Sequence, residues 1–184
     1  MTRYGGLHGG VDITLAEGTP LRALAAGRVI SAGEGGLAVG TYVWLQHSPQ
    51  DTGLPFWIYS KYQHLLEPSS IPVGEPVRTG QIVGLSGKTG TSGRHYGPAG
   101  YPHLHLTTLA SPSGEYEIRG STVFPVRSQI FDPVAVYAEW PGNLDELARL
   151  PGNRKDVPIP YVSEEGSLHP AGTSLVWPVA CKRR

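Results

Sequence analysis

Short runs of β-forming residues, each ended by glycine or proline, constrain the fold of this chain more than any other feature. The 184 residues include 25 glycines and 17 prolines, and Val, Ile, Thr and Tyr recur in bursts between them. Glycine and proline interrupt helices, whereas β-branched and aromatic residues favour strands. The pattern therefore predicts an all-β fold with few short helices, long enough to bury a sizeable core.

Charge and cysteine content exclude several classes of partner and site. Lys and Arg together number 15, as do Asp and Glu, so no net field draws the chain to nucleic acid or to an anionic membrane. No apolar run approaches the ~20 residues of a membrane span, and the first residues do not begin a signal peptide. The lone Cys181 excludes a Cys-rich zinc site, which leaves histidine and carboxylate as zinc ligands.

Two aromatic-rich runs predict a central hairpin. Residues 40–47 and 56–64 are joined by a turn that contains proline, aspartate and glycine. Strand alternation puts Tyr42 and Trp44 on one face, which we expect to be partly exposed, and Val43 on the other. By the same alternation Tyr62 and His64 share a face if no bulge intervenes.

Two histidines are separated by a single leucine in the run Pro102-His103-Leu104-His105-Leu106. In a strand, side chains at i and i+2 leave the same face about 6.6 Å apart, so both imidazoles face one site. In one interpretation, one histidine is a metal ligand and the other lies beside the open coordination position of the metal. The other is a pair of surface histidines on an edge strand, and this stretch alone leaves both open.

Further candidate residues lie elsewhere in the chain. His8 and Asp12 flank two glycines and are either a ligand pair for a cation such as Zn²⁺, or a loose terminal residue and a turn cap. His64 alone is typical of a strand end, and His47 is interpreted as a structural or rim histidine. The glycine-rich loop 88–102 is a candidate substrate wall, and its glycine spacing does not match a nucleotide-binding loop.

The character of the sequence changes near residue 139. We predict a domain at 1–138 and a proline-rich extension at 139–184, with room for a short helix at Asn143–Leu150. Every candidate residue precedes the extension. Truncation after Tyr137 is therefore expected to retain function, unless the extension covers apolar surface.

Taken in order, four pieces of the chain resemble the LytM/lysostaphin-like zinc metallopeptidases of peptidase family M23. The pieces are His8-Gly-Gly-Val-Asp12, Tyr62-Gln-His64-Leu65, the run from Val73 to Gly84, and His103-Leu-His105. Their joint occurrence is much more specific than any one of them.

This resemblance implies a compact antiparallel β fold with a substrate groove. It implies that His8, Asp12 and His105 bind one Zn²⁺ per chain, and that His64 and His103 assist the zinc-bound water and the developing oxyanion. The implied activity is hydrolysis of peptide bonds in peptidoglycan, in stem peptides or cross-bridges. The implied location is the cell envelope, and among oligomeric states we favour a monomer.

A departure from the family pattern and an alternative function accompany the resemblance. His105 is followed by Leu106 and Thr107, where the family commonly has an aromatic residue and Glu, so a partner of the site differs. The alternative function is a non-catalytic domain of the same kind that binds cell-wall material or regulates an amidase. Such a domain would normally have lost ligands, and all five polar positions are present here.

Overall fold

The computed structural model describes residues 9–91, 100–137, 149, 151–152 and 158–182. Every pairing between its named strands is antiparallel. The helical elements with described bounds are one turn of α-helix, α1 (Pro49–Thr52), and a 3₁₀ turn at Ala135–Tyr137. The predicted all-β class is confirmed. Within the described ranges, no helix has the length and apolar character needed to cross a bilayer.

The strands are short. They are β1 (Val11–Thr14), β2 (Pro20–Arg22), β3 (Gly27–Glu34), β4 (Thr41–His47), β5 (Trp57–Leu65), β6 (Pro76–Val77), β7 (Ile82–Leu85), β8 (His103–Ser111), β9 (Tyr116–Arg119), β10 (Thr122–Pro125), β11 (Gln129–Phe131), β12 (Tyr161–Val162) and β13 (Leu168–His169).

Strand β8 lies second from one edge of the main sheet and is paired along both of its sides. That sheet has the order β1-β8-β5-β4-β3-β6, and β11 also pairs with β8. On one side β8 pairs with β5 from Ser111 to His105, and on the other it pairs first with β1 and then with β11. Because β8 has neighbours along both edges, its side chains are held in fixed register with those of β1 and β5.

The core lies on the face of the sheet that carries Leu104 and Leu106. These two leucines are almost fully buried and pack with Val43, Leu45 and Tyr62. The small sheet formed by β2 and β7 closes over this face. Apolar side chains at every second position of β8 therefore bury one face and turn the histidines between them to the other.

The aromatic face of the central hairpin is buried, which corrects the expectation that it is partly exposed. Tyr42 is 5% exposed and Trp44 is 2% exposed. The β9–β10 hairpin packs against this face with Val123, and the Trp44 indole donates a hydrogen bond to the Ser121 carbonyl at 3.0 Å. The sequence pattern did not reveal β10, whose pairing with β9 forms the hairpin that covers this face.

The described part of the C-terminal extension packs against the domain. Val176 is fully buried, and its N–H donates to the Leu24 carbonyl at 2.8 Å. Farther on, Val179 bridges to Leu21, and Val162 is also buried. The extension covers apolar surface, which is the exception stated above. The predicted helix at Asn143–Leu150 lies almost wholly outside the described residues.

Candidate active site

The pairing of β1 with β8 brings the predicted carboxylate to the predicted histidines. Asp12 is directly opposite His105, and Thr14 is directly opposite His103. The Asp12 carboxylate oxygen Oδ1 lies 2.7 Å from His105 Nδ1 and 3.8 Å from His103 Nε2. Residues 93 positions apart in the chain therefore meet on one face, as the alternation of β8 predicted for its own two histidines.

His64 reaches the same place through a β-bulge. Leu65 pairs with Thr41 and Gln63 pairs with Tyr42, so His64 is the inserted residue of the bulge. Its backbone has φ 63°, a left-handed conformation that is uncommon for a residue other than glycine. The bulge turns the His64 ring toward the other two rings, with centroids 4.7 Å from His103 and 6.0 Å from His105.

The Tyr62 side chain is buried in the core, so it does not share a face with the His64 side chain. Its hydroxyl donates to the Arg22 carbonyl and accepts from the Leu24 N–H, each at 2.9 Å. The prediction that Tyr62 and His64 lie on the same face assumed regular alternation along the strand, and the bulge shifts that alternation by one residue. Strain of this kind is typical of functional sites, where the surrounding structure holds an uncommon backbone conformation in place.

Backbone carbonyls orient two of the three rings. His64 Nδ1 donates to the Thr89 carbonyl at 2.8 Å, and His103 Nδ1 donates to the Tyr101 carbonyl at 3.0 Å. Since a carbonyl only accepts, Nδ1 carries the proton in each neutral ring and Nε2 is the basic nitrogen. The Tyr101 ring also stacks on His103, with centroids 4.4 Å apart. Burial lowers the pKa of His64 to about 4, so its ring is neutral at neutral pH.

The His105 ring is oriented differently from those of His64 and His103, whose Nδ1 atoms face backbone carbonyls. Its Nδ1 faces Asp12, and its Nε2 lies 3.1 Å from Thr107 Oγ1. Thr107 is the residue at which the sequence departs from the family pattern, and its hydroxyl contacts His105. A hydroxyl holds the far nitrogen of His105, and Nδ1 is the atom that remains for a metal.

Asp12 and His105 fit part of a zinc site. Oxygen and nitrogen donors about 2.0–2.2 Å from a tetrahedral zinc lie about 3.3 Å from one another. Asp12 Oδ1 and His105 Nδ1 are 2.7 Å apart, so they would have to move about 0.6 Å farther apart to bind the ion. The third predicted ligand, His8, lies outside the described residues. Within the described ranges, no group of three or more His, Cys, Asp or Glu residues forms a metal-binding cluster. The ligand set stays a prediction.

Gly10 allows β1 to approach β8 closely. A Cβ at this position would come within 2.9 Å of the Leu106 carbonyl carbon and 3.1 Å of Thr107 Oγ1. At Gly9 a Cβ would meet nothing within 4 Å. Of the two glycines that the sequence shows between His8 and Asp12, the second is thus required by the close approach of the strands.

We expect Gly10→Ala to lower the stability by about 1–3 kcal/mol, because the added methyl group forces β1 away from β8. The same shift moves Asp12 from His105 and should weaken zinc binding. The matched control is Gly9→Ala, which we expect to behave like the parent. Urea unfolding and zinc titration measure both effects, and equal behaviour of the two variants would contradict this role of Gly10.

Some residues of the site were not singled out by the sequence. The carbonyl groups of Thr89 and Tyr101 orient rings through backbone atoms, which no side-chain pattern reveals. His47, in contrast, has the structural role that the sequence predicted. It is fully buried, its Nδ1 donates to the Ala26 carbonyl at 2.7 Å, and its Nε2 accepts from the Ser60 hydroxyl at 2.8 Å.

Comparison with known proteins finds a matching family profile and similar sequences. The sequence profile of Peptidase family M23 matches residues 6–114. The glycyl-glycine endopeptidase ALE-1 of Staphylococcus capitis is 36% identical over 107 residues, which are 58% of this chain and 26% of that protein. An uncharacterized metalloprotease of Haemophilus influenzae is 32% identical over 119 residues, which are 65% of this chain and 20% of that protein.

A solved structure shares the fold. The solution structure of lysostaphin has a TM-score of 0.51 and 26% identity, and the match covers 90% of this chain and 56% of that chain. The chain thus spans about a quarter or less of the two relatives compared by sequence and just over half of the lysostaphin chain.

Proposed function

Because this chain belongs to peptidase family M23, whose profile matches more than half of it, we propose that it is a zinc-dependent endopeptidase that cuts peptide bonds of peptidoglycan. The family resemblance predicted from four short motifs is confirmed by that match. The observation that carries the proposed activity is the convergence of Asp12, His64, His103 and His105 on one face, with His64 brought there by a strained bulge.

We assign the metal to His8, Asp12 and His105. Imidazole nitrogen and carboxylate oxygen are donors that Zn²⁺ accepts, and three protein ligands leave a position open for catalysis. A zinc ion bound there would act as a Lewis acid and lower the pKa of a coordinated water to about 7. In the described part of this set, the Asp12 and His105 donor atoms already face each other at 2.7 Å.

We assign proton transfer and oxyanion binding to His103 and His64. The carbonyl groups of Tyr101 and Thr89 hold the protons on Nδ1, so each Nε2 starts as an acceptor. His103 Nε2 lies 3.8 Å from Asp12 Oδ1, next to the proposed ligands, and is placed to take a proton and pass it to the leaving amine. His64 starts with its proton on Nδ1, so its Nε2 could donate a hydrogen bond to the oxyanion only after taking the second proton of the attacking water, and the oxyanion would then be the counter-charge that favours the charged ring.

The substrate assignment rests on the relatives. One is named a glycyl-glycine endopeptidase, so glycine-rich peptides are the first substrates to test for this chain. Glycine offers no side chain to grip, and recognition then falls to backbone contacts and to whatever flanks the scissile bond. A peptidoglycan substrate places the site of action in the cell envelope.

Zinc content and peptide hydrolysis test the proposal together. We expect about one zinc per chain, loss of pentaglycine or cell-wall hydrolysis when a chelator removes the metal, and recovery when zinc is added back. Protein that holds zinc but cleaves neither substrate would favour the non-catalytic alternative. Protein that hydrolyses peptide equally well without metal would contradict the assigned mechanism.

A further inference from the structure

A lysine lies on the same face of the sheet as the candidate active site, one row of residues away. Asp12, His105, Gln63 and Tyr42 are directly opposite one another across β1, β8, β5 and β4. The neighbouring row on the same face contains Thr107, Lys61 and Trp44. Directly paired residues of adjacent strands point to one face, so Lys61 is a diagonal neighbour of His105.

The Lys61 side chain is buried without a counter-charge. It is 5% exposed, and its Nζ lies 5.1 Å from the centre of the Tyr42 ring and 5.5 Å from that of the Trp44 ring. In the described part of the chain, no carboxylate or hydrogen-bond acceptor pairs with it. Burial lowers the pKa of Lys61 to about 8, which still leaves it mainly protonated at neutral pH.

The residue opposite Lys61 explains why the charge is unbalanced. Thr107 occupies the cross-strand position, and its hydroxyl is engaged with His105 Nε2. A glutamate there would be placed to neutralise the lysine. Threonine leaves the ammonium with only aromatic faces, and a buried cation is far more stable with an anion beside it.

The position of Lys61 also limits where an anion could approach. On the side away from the histidines, the β9–β10 hairpin covers the aromatic cluster, and Val123 and the Trp44–Ser121 hydrogen bond close that region. Lys61 therefore lies between a covered apolar region and the candidate active site.

We propose that Lys61 binds a carboxylate group of the substrate peptide and makes this chain select peptides with a free carboxylate near the scissile bond. The inference rests on the proposed peptidase function. Diagonal neighbours have Cα atoms about 7–8 Å apart, and an extended peptide advances about 3.3 Å per residue. The carboxylate should therefore lie about two or three residues from the bond that is cut.

Two matched peptides test the selectivity. N-acetylated pentaglycine with a free C-terminal carboxylate is compared with its carboxamide on the zinc-loaded protein. We expect the parent to prefer the acid by about tenfold to a hundredfold in kcat/KM, the range for a hydrogen bond to a charged group. The preference should fall to near one in Lys61→Met and persist in Lys61→Arg. Lys182→Met, which removes an equally charged side chain that is 83% exposed, should leave rates and preference unchanged.

A binding measurement separates this inference from the proposed activity. The indole N–H signal of Trp44 is followed by NMR while N-acetyl-triglycine acid or its amide is added to zinc-loaded protein. We expect a shift with the acid alone, and no shift in Lys61→Met. This result would support the inference even if no peptide were cleaved. Equal shifts with acid and amide, or an acid-specific shift that survives in Lys61→Met, would overturn it.

Thr107→Glu provides a second variant in case Lys61→Met does not fold. The new carboxylate would be the cross-strand neighbour of Lys61 and would occupy its ammonium from within the chain. We expect the preference for the acid peptide to fall to near one. A preference as large as that of the parent would show that Lys61 does not bind the substrate carboxylate.

Discussion

His105→Ala is expected to lose both zinc and activity, whereas His103→Ala keeps its zinc and loses activity about 10²-fold to 10⁴-fold, the range for removing a general acid or base. The two histidines share a face, but their rings are held in opposite senses. His105 turns Nδ1 to Asp12 at 2.7 Å, while His103 donates from Nδ1 to a backbone carbonyl. Zinc analysis and peptide hydrolysis on the purified variants measure the two effects separately.

Two further variants and a control complete this test. Asp12→Ala should behave like His105→Ala, because it removes the facing donor. His64→Ala should behave like His103→Ala, with zinc retained and activity about 10²-fold to 10³-fold lower, since one oxyanion donor is lost. His169→Ala, which removes an imidazole stacked on Tyr161, should keep zinc and activity. If His103→Ala were empty of zinc and His105→Ala fully loaded, the assigned roles would be exchanged.

The sequence predicted those parts of the site that depend on regular alternation. His103 and His105 lie on one face because a strand repeats every two residues, and the buried Leu104 and Leu106 between and after them hold that face in place. Asp12 joined them through the family resemblance. The register that places it opposite His105 comes from pairing between β1 and β8, which are distant in sequence.

Strand alternation did not predict the position of His64, which only the family resemblance assigned to the site, because that position depends on a bulge. A single inserted residue with φ 63° reverses the face of one side chain, and nothing in the residue types around it requires the insertion. The burial of Tyr42 and Trp44 was missed for a related reason. It depends on β10 folding back over the sheet, and pairing between separate hairpins is a tertiary effect that local pattern does not show.

The packing of the C-terminal extension is a further tertiary contact that the local sequence pattern does not show, and its effect on stability is larger. Its prolines and polar residues are typical of a solvated appendage, yet two of its valines complete the core. Val176 bonds through its N–H to the Leu24 carbonyl and accepts from the Tyr137 hydroxyl, both at 2.8 Å. Val162 lies against Gly80, where a Cβ would come within 2.7 Å of it.

Truncation after Tyr137 is therefore expected to destabilise the protein by about 3–5 kcal/mol, from the loss of two buried valine side chains alone. Thermal melting with zinc present measures the effect. Val176→Ala isolates one contribution and should cost about 2 kcal/mol, whereas Val73→Ala, at a valine that is 59% exposed, should cost little. A truncated protein that melts with the parent and keeps its zinc and activity would show that the extension is an appendage after all. A truncated protein that folds at low temperature, holds zinc and cleaves peptide at the parent's rate, but melts early, would show that the extension contributes stability to the domain without contributing to its chemistry.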